Sequence, residues 1–152
     1  MALTAISPPR VHLLESAPFG RDKHLDSGLP PLTGVKVLVV EDDETTRYIF
    51  SRQLSQTGAI VTVVEDAESA LLVLHAESTD VLVVDLKLPG LNGLQLLAQT
   101  PTRPRATIAI TAFDDATTRD RALRSGFKAY LPKPVEPERL VQEIARQLGS
   151  QG

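Results

Sequence analysis

The sequence predicts an α/β fold: a doubly wound parallel sheet in which five strands alternate with five helices. Three observations predict it. Five short runs rich in Val and Ile recur after residue 34, and they mostly do not alternate with polar residues. Such runs belong to strands buried on both faces, as in a parallel sheet covered by helices. The stretches between them have helical periodicity, several opened by an Asp or Asn-type cap and closed by Gly. Finally, 152 residues with 42% apolar and 23% charged residues suit one globular domain with a real core.

The first strand is read at Val35–Val40. Asp43 caps a helix running to Thr57, with Ile49, Phe50 and Leu54 facing in and Gly58 as the stop. The second strand is Ile60–Val64, and Asp66 caps the next helix, where Ala67, Ala70, Leu71 and Leu74 keep the i, i+3, i+4, i+7 rule. Val81–Val84 is the third strand, followed by a short helix from about Gly93 that buries Leu94, Leu97 and Ala98. Thr107–Ile110 is the fourth, and its helix runs from about Asp115 to Ser125, ending at Gly126. The fifth strand is Lys128–Leu131. Glu136 caps the last helix, with Pro137 at its first position and Leu140, Ile144 and Leu148 buried. Five such alternations give a flavodoxin-like (βα)5 order. Before Gly34, the chain carries Pro8, Pro9, Pro18, Pro30 and Pro31 and keeps no apolar period, so residues 1–33 are expected as a Pro-rich arm or linker. The expected domain spans 34–149, with 150–152 as a tail.

Composition removes several function classes. A net charge of −3 argues against nucleic acid as a partner. The absence of Cys removes disulfides and thiolate metal sites. No apolar run approaches the roughly 20 residues a membrane helix needs, and no apolar block at the N-terminus suggests a signal peptide. The expected compartment is the cytoplasm, away from the membrane.

In an open parallel sheet, ligands sit beyond the carboxyl ends of the strands. The residues there are Glu41, Asp42 and Asp43 after the first strand, Asp85 after the third, Thr111 and Ala112 after the fourth, and Pro132, Lys133 and Pro134 after the fifth. Taken singly, Asp85 reads as a turn residue, Thr111 as a helix cap and Lys133 as a surface lysine. Their joint placement on one rim favours a site. Acids gathered there repel one another and call for a cation. With no His or Cys beside them, Mg²⁺ or Mn²⁺ is expected over zinc. Lys133 adds an ammonium and Thr111 a hydroxyl, the groups that grip a phosphoryl. Asp85 remains as the nucleophile, since an aspartyl phosphate is a recognised covalent intermediate.

The stretches "VLVVEDD", "VLVVDLKLPGLNG", "ITA" and "YLPKP" closely resemble the receiver domain of two-component response regulators, over about Gly34 to Gly149. The resemblance implies that Glu41 and Asp42 bind the metal with Asp85, and that Asp85 is the phosphoacceptor. It places Lys87 where the family's metal takes a backbone carbonyl. It makes Thr111 the switch hydroxyl, Lys133 the phosphoryl-contacting lysine and Tyr130 the aromatic rotamer switch. It implies a cis Lys133–Pro134 peptide, and a histidine kinase or histidine phosphotransfer protein as donor. The output surface would be the fourth helix, fifth strand and fifth helix, presented to a downstream protein target by a monomer or a phosphorylation-dependent dimer. Such a protein is not an enzyme toward other substrates; it catalyses only its own Mg²⁺-dependent phosphorylation and dephosphorylation. The fourth helix has few apolar residues, which suits a movable element and equally a plain exposed edge helix. Glu41 stands where the family more often has Asp, and Lys87 sets a long cation two residues past the acceptor.

Other classes fit less well. A haloacid-dehalogenase-type phosphatase needs a second acid two residues after the nucleophile, where this chain has Lys87. A dinucleotide fold needs a Gly-rich loop after the first strand, where Glu41 and Asp42 would repel a pyrophosphate. A phosphorylation-independent binding module of the same fold is the remaining alternative. The chain ends soon after the fifth helix, so a stand-alone regulator is expected, with the terminal receiver of a hybrid kinase as the other context. His12, His24 and His75 read as ordinary.

Overall fold

The computed structural model describes residues 29–88, 90–112 and 115–149. The elements are β1 (Lys36–Val40), α1 (Glu44–Gln56), β2 (Ile60–Val64), α2 (Ala67–Ala76), β3 (Val81–Asp85), α3 (Gly93–Gln99), β4 (Ala106–Thr111), α4 (Ala116–Arg124), β5 (Ala129–Pro132) and α5 (Pro137–Gly149). All pairings are parallel, in the order β2-β1-β3-β4-β5, so the α/β doubly wound expectation holds. The order reverses beside β1, between β1 and β3, which is where a ligand crevice opens in such a sheet. No helix among the described residues is long and apolar enough to cross a membrane.

Two apolar layers sandwich the sheet. On one face Val37, Val39, Val83, Ile108 and Ile110 meet Phe50 and Leu54 of α1 and Leu140, Val141 and Ile144 of α5. On the other, Leu38, Val40, Leu82 and Val84 meet Ala70 and Leu74 of α2 and Leu96 and Leu97 of α3. Burial on both faces is complete for β3 and β4 and nearly so for β1. The outer strands β2 and β5 are only partly covered, because each has a single neighbour. Leu32 is buried, its N–H donating to Thr57 O (2.8 Å), so the packed unit takes in residues before Gly34.

Asp43 and Asp66 cap their helices as the sequence predicts, and Asn92 and Asp115 cap two more. The side chains of Asp43, Asp66, Asn92 and Asp115 each accept from a backbone N–H three residues on. Two inward assignments fail. Ile49 is exposed, because the buried stripe of α1 is Phe50, Ser51, Leu54 and Ser55. Ala98 is exposed and Leu96 takes its place. Leu148 is half-buried and packs against the core beside Leu140 and Ile144, and Val141, Glu143 and Gln147 go inward as well. In α4 only Ala122 is buried.

Candidate functional site

Asp85 belongs to β3 itself, as its last residue, in register with Ile110. The strand continues in effect into Leu86, whose N–H donates to Ile110 O (2.9 Å). A buried strand end therefore fixes the Asp85 backbone. Gly93 tightens the support beneath it. A Cβ there would stand 2.9 Å from Val84 Cγ1 and 3.0 Å from Leu86 Cα, so α3 can approach β3 this closely only with Gly. The reciprocal capping box of Asn92 and Gln95 starts that helix.

The Asp85 carboxylate is 4% exposed and held at both oxygens. Oδ1 accepts from the Lys87 backbone N–H at 2.9 Å, and Oδ2 accepts from Lys133 Nζ at 2.8 Å. Lys133 is delivered by the turn after β5, where its own N–H donates to Thr111 O (2.8 Å) and the Lys133–Pro134 peptide is cis. Its ammonium also serves Glu41, standing 3.0 Å from Oε1 and donating to Oε2 at 3.3 Å.

Glu41 is fully buried. Its Oε2 accepts from the Asp43 N–H (3.0 Å), and the Arg47 guanidinium donates to its carbonyl (2.8 Å). Oε1 is buried without a well-aligned hydrogen-bond donor, although the ammonium is near. Burial pushes the Glu41 carboxyl above its usual range, and the Asp85 charge adds to this, while the Asp43 N–H and Lys133 oppose it. For Lys133, burial favours the neutral amine, but the hydrogen bonds and charges of Asp85 and Glu41 outweigh it and hold the ammonium above the usual lysine range.

Asp42 is exposed, and one carboxylate oxygen each from Glu41, Asp42 and Asp85 falls within 4.8 Å of the others. Three acids thus share one rim with one ammonium. The orphaned Glu41 Oε1 and the all-oxygen donor set fit a hard divalent cation. Asp43, the third acid of the sequence cluster, is taken up elsewhere: it accepts from the Thr46 N–H and hydroxyl and caps α1. A cleft of about 420 Å³, lined by Asp42, Asp85, Lys87, Leu88, Ala112 and Lys133, opens over the acids.

Thr111 ends β4, fully buried and in register with Pro132. Tyr130 is half-buried against the cluster that holds α2 and α3. The structure therefore brings Glu41, Asp42, Asp85 and Lys133 together, with Lys87 on the cleft wall. Phe113 lies outside the described residues. Arg47 was not anticipated; its only sequence signal is a position one turn into a helix that begins beside the acids.

An acid-rich rim on a 2-1-3-4-5 parallel sheet defines a receiver-type α/β domain. The model of the response regulator receiver domain matches residues 37–145, and the chain belongs to that family, which works in two-component signalling. It is 39% identical over 117 residues to an uncharacterized 14.6 kDa protein of Leptolyngbya boryana, covering 74% of this chain and 89% of that one. It is 35% identical over 112 residues to the DNA-binding transcriptional regulator NtrC of Salmonella typhimurium, covering 72% of this chain but only 24% of that protein's length. Among solved structures, it resembles the receiver domain of sensor histidine kinase PA1611 of Pseudomonas aeruginosa, with a TM-score of 0.68 and 27% identity, covering 77% of this chain and 99% of that one. That structure carries a magnesium ion coordinated in its active-site cleft.

Proposed function

We propose that Asp85 accepts a phosphoryl group from a histidine kinase or a histidine phosphotransfer protein. The observation that carries this reading is the Asp85 carboxylate, buried at a strand end and held at both oxygens over an open cleft. In the step, an Asp85 oxygen forms a bond to phosphorus as the bond from phosphorus to the donor imidazole breaks. The imidazole nitrogen keeps the electron pair and takes up a proton.

Glu41, Asp42 and Asp85 would hold Mg²⁺ or Mn²⁺, with the Lys87 backbone carbonyl as a further oxygen ligand. When bound, the cation supplies positive charge to the crowded acids and to the phosphoryl oxygens. Lys133 moves its ammonium from the carboxylate to the phosphoryl group, whose charge it neutralises. Thr111 donates its hydroxyl to a phosphoryl oxygen, and Tyr130 follows it inward. Ala112, small and exposed, leaves the cleft accessible to the donor. The chain catalyses only its own phosphorylation and dephosphorylation. Its signal passes to a protein target through the surface of α4, β5 and α5, where the single buried residue of α4 makes that helix the part that shifts.

The test is incubation with Mg²⁺ and a small phosphodonor, or with beryllofluoride as a phosphoryl mimic. One adduct per chain is expected, acid-stable and base-labile with the phosphodonor and a saturable complex with beryllofluoride, each absent from Asp85→Asn. No adduct, or one that persists in Asp85→Asn, overturns the proposal.

A further inference from the structure

A second cleft, of about 290 Å³, adjoins the first and shares Lys87 and Leu88 with it. It lies between the β3–α3 loop and α4, with Thr111 among its lining residues. Its chemistry is the reverse of the acid rim. Lys87 from the loop and Arg121 from the last turn of α4 bring two cations. No acid is among the described residues that line it. Asn92 and Thr118 add polar groups, and Leu88 and Leu94 give it apolar walls.

We propose that this cleft binds a small organic anion, best a dianionic phosphate or phosphonate on an apolar body. Two cations on opposite walls match a doubly charged headgroup, and the leucines match a ring or short chain. The volume lies at the low end for ligand pockets, which limits the occupant to about the size of a substituted benzene. Both cations are exposed, so the affinity falls in the millimolar range. The proposal goes beyond the phosphoacceptor reading and stands on the cleft alone. Its occupant would touch both the loop after Asp85 and α4, a helix anchored by one buried alanine.

The experiment is an NMR titration of the full chain in EDTA, without any phosphodonor, using phenylphosphonate, benzoate and benzyl alcohol as probes. Its outcome is therefore independent of whether Asp85 is phosphorylated. Saturable amide shifts are expected at Leu88, Leu94 and Thr118, with affinity falling from phenylphosphonate to benzoate to benzyl alcohol. Arg121→Gln, at an exposed position, should weaken phenylphosphonate about tenfold, and Lys87→Gln should weaken it in the same direction. Equal affinity for the three probes overturns the proposal, as does an unchanged affinity in Arg121→Gln. Shifts confined to Asp42 and Ala112, or none that saturate, overturn it too.

Discussion

The two ends of the same sheet treat polar groups in opposite ways. At the amino end, the fold uses them up. The Asp80 carboxylate accepts from the Lys36 N–H (2.9 Å), and its backbone ties Lys36 O (2.9 Å) to Ala106 N (3.1 Å). One residue further along β4, the Thr107 N–H donates to Gln147 Oε1 (3.1 Å), and Gln147 Nε2 reaches Thr107 O (3.4 Å) and Glu143 Oε2 (3.0 Å). The carboxamide oxygen supplies the acceptor for the Thr107 N–H, while Thr107 O also accepts from the Lys128 N–H at 3.1 Å. Glu143 is in turn held by Arg146, and its carboxyl lies below its usual range: burial raises it, and the Arg146 and Gln147 hydrogen bonds outweigh that. At the carboxyl end, three acids meet one ammonium and a buried Glu41 oxygen is left over. The polar groups named at the amino end are paired within the fold, although Ser55 Oγ in the last turn of α1 is also buried without a partner; the carboxyl rim differs in gathering three acids around one ammonium.

Four measurements break or sharpen that contrast. The largest effect is expected from Lys133→Ala, which strips the acid rim of its counter-charge. It should cost about 3 kcal/mol in urea unfolding at pH 7.5 and low salt, and Mg²⁺ should restore part of the loss. A cost that Mg²⁺ leaves untouched would mean that Lys133 is held for packing rather than charge. Next comes Gln147→Leu, which orphans the buried Thr107 N–H while Thr107 O keeps the Lys128 N–H, and should destabilise by about 2 kcal/mol. An unchanged urea midpoint would show that the amino end does not depend on this carboxamide.

Asp85→Asn should act in the opposite direction from Gln147→Leu, raising stability without metal by ~1 kcal/mol, because it relieves repulsion among the acids. A lowered melting temperature would remove the claim that the rim is strained. The smallest effect is on pH dependence. Glu41 has a raised carboxyl pKa, so the folded chain binds more protons than the unfolded one between the ordinary glutamate value of 4.5 and the raised value. Stability should therefore rise as the pH falls through the raised value toward 4.5. The lowered acids Asp43, Asp115 and Glu143 oppose this only below about their ordinary values, where their stabilisation is lost. Glu41→Gln should flatten the slope above pH 5, and an unaltered slope would assign it to another group.

Much of this contrast was legible in the sequence, though not evenly. The carboxyl rim could be read because a parallel sheet forces every strand end to one edge, so listing the residues after Val40, Val84, Ile110 and Leu131 found the acids, the hydroxyl and the lysine. The amino end could not be read that way. Glu143 and Gln147 look like the solvent face of an amphipathic helix, and their burial follows from where α5 crosses β4, a tertiary fact. Ile49 misled for the converse reason: an apolar residue beside the true stripe of α1, where small Ser51 and Ser55 face the core instead. Lys87 sits in a loop without periodicity, and only the structure places it on the wall between two clefts, one that holds acids and one lined by none among the described residues.

The Gln147 link also makes the two helices that flank β5 unequally anchored. Sliding α5 along the sheet by even one residue would break both hydrogen bonds to Thr107. α4 buries only Ala122. Of the two helices flanking β5, one is a fixed rail and the other a loose leaf. Amide exchange in α4 should therefore proceed by local opening, while the buried turns of α5 wait for the whole domain to unfold.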